Sequence, residues 1–305
     1  MTTPVRPSGA ALHAPPRSLS PVLLLMGKGG VGKTTIAAGL AVLEAETHGA
    51  AILVEFGDGD AGKRALGPSH RAVQHVVIRP NDAVHRAAIP LFGSATVAKL
   101  VLGNFAMKPL LGVAPAIREL AMLELVRQLA ADRPGVRIVV DMPATGHSVA
   151  WLRVPKQGRD FLGSGPLFEM CDRIGRELLS PGRASILVVT LPERLVIEET
   201  LELCASVRQE TGLHVDRIVV NRVPVALPPQ ALLDARAWVD AKGPQAGAAA
   251  QLAAVLEARE AARAEATASL DALATKDHAM WHVPLAPTDP YARDVARWLL
   301  AEGAP

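Results

Sequence analysis

Residues 27–35 read Gly-Lys-Gly-Gly-Val-Gly-Lys-Thr-Thr, directly after the apolar run Val22–Met26 and directly before Ile36-Ala37-Ala38-Gly39-Leu40-Ala41. A glycine-rich loop between a strand-like and a helix-like segment has few structural solutions. Its backbone N–H groups converge at the positive end of the helix, where they cradle phosphate oxygens. The spacing places Gly27, Lys28, Gly29, Gly30, Val31, Gly32, Lys33, Thr34 and Thr35 around such a group. It sends Lys33 toward β- and γ-phosphates and offers the Thr34 hydroxyl to Mg²⁺. The chain therefore reads as one that binds a nucleoside triphosphate.

The rest of the pattern fits a fold that carries such a loop. Further apolar runs occur at Ala51–Val54, Val76–Arg79, Arg137–Val140, Ile186–Thr190, Ile218–Val220 and Trp281–Leu285, with helical segments such as Ile117–Ala130 and Glu193–Thr211 between them. Near-continuous apolar strands alternating with helices predict an α/β fold: a three-layer, doubly wound, mainly parallel sheet. Polar residues close several strands, namely Gly27, Glu55, Asp141 and Asn221. Ligands bind such sheets at those carboxyl ends. The expected organisation is a disordered tail over 1–20 and a single domain over 21–305, with helical insertions near 91–130, 151–183 and 229–274. The last insertion is Ala-rich and reads as a long helix or hairpin broken at Gly243-Pro244.

Composition removes several classes of function. Net charge is +2 with no run of five like charges, and aromatic residues make up 3% of the chain, so no nucleic-acid arm or base-stacking platform is expected. No stretch approaches 18 uninterrupted apolar residues, so no transmembrane segment is expected. The opening residues through Pro21 include five prolines and two arginines and do not form a signal peptide. The two cysteines, Cys171 and Cys204, lie far apart without a CxxC. They predict no zinc site and a reducing, cytoplasmic setting.

A second constellation follows the fourth strand. Arg137-Ile138-Val139-Val140-Asp141 is an apolar strand ending in an acid, suited to holding a Mg²⁺-bound water near a γ-phosphate. The small-residue loop Met142-Pro143-Ala144-Thr145-Gly146-His147-Ser148 can respond to that phosphate, with Gly146 as the natural N–H donor. Taken alone, Asp141 is also compatible with a turn or cap, and His147 with a structural loop histidine.

GKGGVGKTT together with DMPATGHS resembles the ArsA-type ATPases, which comprise the arsenite-pump and tail-anchored-protein-targeting enzymes. These belong to the deviant Walker A class that includes MinD and ParA. The resemblance runs over about residues 21–305. It includes the Pro192-Glu193 helix opening, Asn221-Arg222 after the sixth strand and Val283-Pro284-Leu285. Leu53-Val54-Glu55 and Trp151-Leu152-Arg153-Val154-Pro155 look most like bacterial ArsA-like ATPases of unassigned cargo.

The resemblance implies ATP and Mg²⁺ as cofactors, Asn221 at the base, and the loop after Pro284 packed on the adenine. It also implies a dimer sandwiching two nucleotides, either a homodimer or a heterodimer with a paralogue. Lys28 would be its signature lysine, reaching the partner's phosphates. Lys28, Lys33, Asp58 and Asp141 are the catalytic candidates. Thr34, Asp141 and Glu55 are the metal candidates.

The chain departs from the family in two places. Where the pump and targeting enzymes carry the aspartate of Asp-Pro-Ala-His after the second strand, this chain has Gly57, with Asp58 next to it. The pump's metalloid-binding cysteines and the targeting dimer's zinc-binding CxxC are also missing. Cargo handling would need an apolar groove, for which 91–116 and 161–179 supply residues that suit a buried core equally well.

The leading expectation is an ATP-driven dimeric switch that couples nucleotide state to a protein cargo or a membrane-associated partner. The alternatives are a weakly hydrolysing regulatory subunit, a MinD/ParA-like positioning ATPase and, last, a P-loop kinase.

Overall fold

The structure, a computed structural model, describes residues 19–67, 72–92, 94, 115–243, 247–274 and 278–304. Among the described residues seven strands are present: β1 (Val22–Gly27), β2 (Ala51–Phe56), β3 (Val73–Ile78), β4 (Arg137–Asp141), β5 (Ala184–Thr190), β6 (Val215–Val223) and β7 (Met280–Pro284). They form one sheet in the order β3-β2-β4-β1-β5-β6-β7, and every pairing is parallel. Ten described helices flank it: α1 (Lys33–His48), α2 (Asp60–Leu66), α3 (Pro80–Phe92), α4 (Pro115–Asp132), α5 (Thr145–Leu162), α6 (Pro166–Glu177), α7 (Arg194–Thr211), α8 (Ala231–Lys242), α9 (Gly247–Ala274) and α10 (Ala292–Ala301).

The sheet explains the apolar runs. Both faces of the central strands are covered, so successive residues are all buried instead of alternating with polar ones. Leu23, Leu25, Leu53, Val139, Leu187 and Val219 pack against α1 and α10. Leu24, Met26, Ile52, Val54, Val140, Val188 and Ile218 pack against α3 to α7 on the other face. β1 lies at the centre, with β4 and β5 on either side. The chain steps outward past β4 to β2 and later crosses to β5. The winding reverses there, and the crevice at the strand ends opens beside β1.

The seven expected strands are all found, most of them one or two residues longer than the apolar run that marked them and β6 six residues longer. Residues 19 and 20, expected in the tail, are instead part of the core. Leu19 is buried, its carbonyl accepts from Arg137 Nη1 at 3.1 Å, and the Ser20 N–H donates to Ser185 Oγ at 3.0 Å. Residues 1–18 lie outside the described residues.

Of the expected insertions, 95–114 is outside the described residues, and 115–132 is the single helix α4. The region 151–183 consists of α5 and α6, with α5 starting six residues earlier than expected. Most of its apolar residues are core: Met170, Ile174, Leu178 and Leu179 are buried, while Phe161 at the tip is exposed. The Ala-rich region is a helical hairpin. α8 ends on Gly243, α9 packs back along it, and Arg236 Nε donates to Glu257 Oε1 at 2.9 Å. Among the described residues no helix is long and apolar enough to cross a membrane.

Candidate functional site

The phosphate loop leaves β1 at Gly27, which only a glycine can occupy. Its register partner on β5 is Val189, and a Cβ at Gly27 would overlap the Val189 carbonyl oxygen. Its φ of +151° is also a conformation that L side chains rarely adopt. Gly32 then enters α1 as an N-cap at φ +87°, with the Ile36 N–H closing the first turn on the Gly32 carbonyl at 3.1 Å. No side chain caps that helix start. Its leading N–H groups are left to an anion, at the positive end of a 16-residue dipole.

Three of the sequence-predicted residues converge. Thr34 Oγ1 donates to Asp141 Oδ2 at 2.5 Å, and Lys33 Nζ stands 3.4 Å from Asp141 Oδ1. The sheet produces this meeting: Asp141 ends β4 in register with Leu25 on β1, two residues before the loop begins. Asp141 Oδ1 is buried and receives no hydrogen bond. The Lys33 ammonium, 3.4 Å away, is the cation that faces this oxygen here. A hydroxyl and a carboxylate are the hard oxygen donors that Mg²⁺ takes. These residues fit that ion.

Glu55 is also at the site's edge, in register with Asp141 on β2, but its Oε2 is already engaged. That oxygen accepts from the Gly62 N–H at 2.8 Å and lies 3.0 Å from His75 Nε2. Glu55 thus ties α2 and β3 to the end of β2.

The segment after β4 is shorter than a full loop. Only 142–144 are irregular, and α5 begins at Thr145, so Gly146 lies in a first helical turn without a side-chain cap. The Met142 N–H pairs with the Leu25 carbonyl at 3.0 Å. A Cβ at Gly29 would lie 3.9 Å from Ala144 Cβ, so this segment abuts the phosphate loop.

On the other side, the Asn221 side chain reaches Val31: Nδ2 donates to its carbonyl at 2.8 Å. Pro284 ends β7 next to Val223, and the Leu285 N–H donates to the Val223 carbonyl at 2.8 Å. The β6 and β7 ends therefore border the loop together. Thr35 is half-buried in the first turn of α1.

Two candidates stay outside this cluster. Lys28 Nζ is bound to Glu199 on α7, at 2.8 Å from Oε1 and 2.7 Å from Oε2. Asp58 is exposed, and its Oδ1 accepts the Asp60 N–H at 3.2 Å. Gly57 before it is exposed at φ +119°. Glu199 was not legible as a site residue, because a glutamate in the sequence Glu198-Glu199 looks like any solvated helix face. Among the described residues no cluster of three or more His, Cys, Asp or Glu side chains is arranged to hold a metal ion.

A phosphate loop at the central strand of a parallel sheet, facing a strand-end acid that bonds its threonine, defines a P-loop nucleotide-binding protein. The chain belongs to the CobQ/CobB/MinD/ParA nucleotide binding domain family, whose pattern it matches over residues 22–266. It is 30% identical to ATPase BagA of Mycobacterium tuberculosis over 267 residues, which is 80% of this chain and 75% of that protein. It is also 26% identical over 214 residues to the arsenical pump-driving ATPase of Acidiphilium multivorum, covering 67% of this chain and 35% of that one.

Proposed function

We propose that the chain is an ArsA-type, ATP-driven dimeric switch whose nucleotide state is read by a protein cargo or a membrane-associated partner. At the coarser level it is a nucleotide-binding ATPase of the MinD/ParA class, like the relatives it matches. Lys33 neutralises charge on the β- and γ-phosphates, the N–H groups entering α1 hold their oxygens, and the Thr34–Asp141 pair holds Mg²⁺. When bound, that ion spreads the charge that develops as the γ-phosphoryl group leaves. Gly146, in the first turn of α5, offers its N–H to the γ-phosphate. Asn221 and the loop after Pro284 receive the base. An amide can meet the edge of either purine, so the choice of ATP rests on the resemblance to ATPases.

The dimer reading rests on Lys28. It follows the first glycine of the loop, yet its ammonium is held by Glu199, while Lys33 alone approaches Asp141. A lysine at the loop's rim, paired with an exposed acid, is free to be redirected to a facing subunit. Mg²⁺·ATP turnover and sedimentation measured together test this. ATP is expected to produce a dimer that Lys28→Ala weakens. An ATP-bound protein that stays monomeric at every concentration rejects the reading.

One observation favours the weakly hydrolysing alternative. The position of the family's water-activating aspartate is Gly57, and the neighbouring Asp58 is turned onto its own loop. A general base must lie within hydrogen-bond reach of the water it activates. Slow turnover with firm nucleotide binding is the expected behaviour.

A further inference from the structure

The base side of the crevice is joined to the phosphate loop by one amide. Asn221 is buried at the end of β6, 8% exposed. Its Nδ2 donates to the Val31 carbonyl at 2.8 Å, and its Oδ1 accepts from the Arg222 N–H at 2.9 Å. These two partners fix the orientation of the amide, since only the NH₂ end can meet a carbonyl and only the oxygen can meet an N–H.

Two features of the surrounding backbone depend on that side chain. A Cβ at Gly32 would overlap Asn221 Nδ2, so the amide fills the space behind the residue that turns the loop into α1. Arg222 has φ +58° and is the non-glycine residue with positive φ among those described. Such strain persists where the surroundings enforce it. Here the Asn221 oxygen holds the strained N–H.

We infer that Asn221 is a positioning residue for the phosphate loop: its amide holds the Val31–Gly32 turn in addition to facing the base. This inference rests on the nucleotide-binding reading above. An asparagine amide has two N–H donors and an oxygen with two lone pairs. The brace uses one of each, which leaves one N–H and one lone pair for the base edge. The same group that meets the base therefore sets the Val31–Gly32 turn, and it does so whether or not a base is present.

The test uses a ligand with phosphates and no base. Binding of Mg²⁺·ATP and Mg²⁺·tripolyphosphate is measured by calorimetry for wild type and Asn221→Leu, which is similar in shape and uncharged but lacks the Val31 donor and the Arg222 acceptor. Both ligands are expected to bind about tenfold more weakly, a change on the order of a buried hydrogen bond's contribution. The kcat for ATP is expected to fall together with the rise in KM, because a displaced loop misplaces the reacting phosphate. Asn221→Gln, which keeps the amide but moves it one methylene outward, serves as the second variant should the leucine prevent folding.

If only ATP binding weakens, with tripolyphosphate affinity and kcat unchanged, Asn221 is a base contact alone and the inference falls while the nucleotide reading stands. If wild type binds neither ligand, both fall.

Discussion

Lys28, on the loop after β1, and Glu199, on α7, are joined by an ion pair of 2.7 Å in which each side chain is about half exposed. Pairs of that exposure contribute roughly 0 to 1 kcal/mol. Glu199 is therefore a weak latch, and a triphosphate facing Lys28 in a dimer is a much stronger competitor for the ammonium. Glu199→Ala is expected to leave thermal stability nearly unchanged and to shift ATP-dependent dimerisation to lower protein concentration by up to about fivefold. Lys28→Ala is expected to reduce turnover by about a hundredfold or more, the scale of losing one preorganised charge-stabilising group. Sedimentation velocity and phosphate release measure the two effects. Equal loss in both variants would show that the pair itself is the working unit.

Asp141 and Thr34 should separate metal use from nucleotide binding. Asp141→Asn keeps an oxygen toward Thr34 but removes the charge beside Lys33. The Mg²⁺ concentration that half-saturates turnover is expected to rise about tenfold or more, with a smaller change in metal-free ATP affinity. A titration of turnover against Mg²⁺ at fixed ATP checks this. An unchanged half-saturation point would remove Asp141 from the metal site.

Much of this site could be read from the residues because the chemistry is local. Gly27 to Thr35 specify a loop whose geometry needs those residue types in that order, and the strand ending in Asp141 supplies the facing acid. The sheet order was not written in any segment, but the apolar runs were, since strands covered on both faces cannot alternate. What escaped were contacts between distant segments: Glu199 lies 171 residues from Lys28, and the Asn221 amide meets Val31 from 190 residues away. Glu55 shows the converse. Its place at a strand end suggested a metal ligand, but only the fold shows that Gly62 and His75 occupy the oxygen facing them.

Gly57 bears on hydrolysis through its backbone. At φ +119° it adopts a conformation that resists a side chain, although a Cβ there would meet open space. Gly57→Asp is therefore expected to cost about 1 to 3 kcal/mol of stability and to leave turnover no higher than wild type. Asp58→Asn is expected to lower kcat about tenfold if Asp58 swings off the Asp60 N–H to meet the water. Single-turnover phosphate release and thermal melting distinguish the two positions. A faster Gly57→Asp enzyme would mean the loop can reach the family's arrangement.

The cysteines offer a test of the packing between α7 and the sheet, independent of nucleotide. Cys204 is buried in α7, and burial pushes its thiol from an ordinary 9.0 up to about 11. The thiol is favoured in the folded state, so its contribution to stability is complete below pH 9 and is lost as pH rises toward 11. Between those values the unfolded chain ionises this group and the folded chain does not. At pH 10 the loss amounts to about 1.4 kcal/mol, one pKa unit's worth. Cys204→Ala has no such group, so its deficit relative to wild type in urea unfolding at pH 8 is expected to shrink by about that amount at pH 10. Burial also raises the Cys171 thiol. Neither cysteine should then react with an aromatic disulfide reagent in the native protein at pH 8, and both should react once it is unfolded. A native Cys204 thiol that reacts within seconds, or a deficit that does not change with pH, would show that α7 does not seal against the sheet as described.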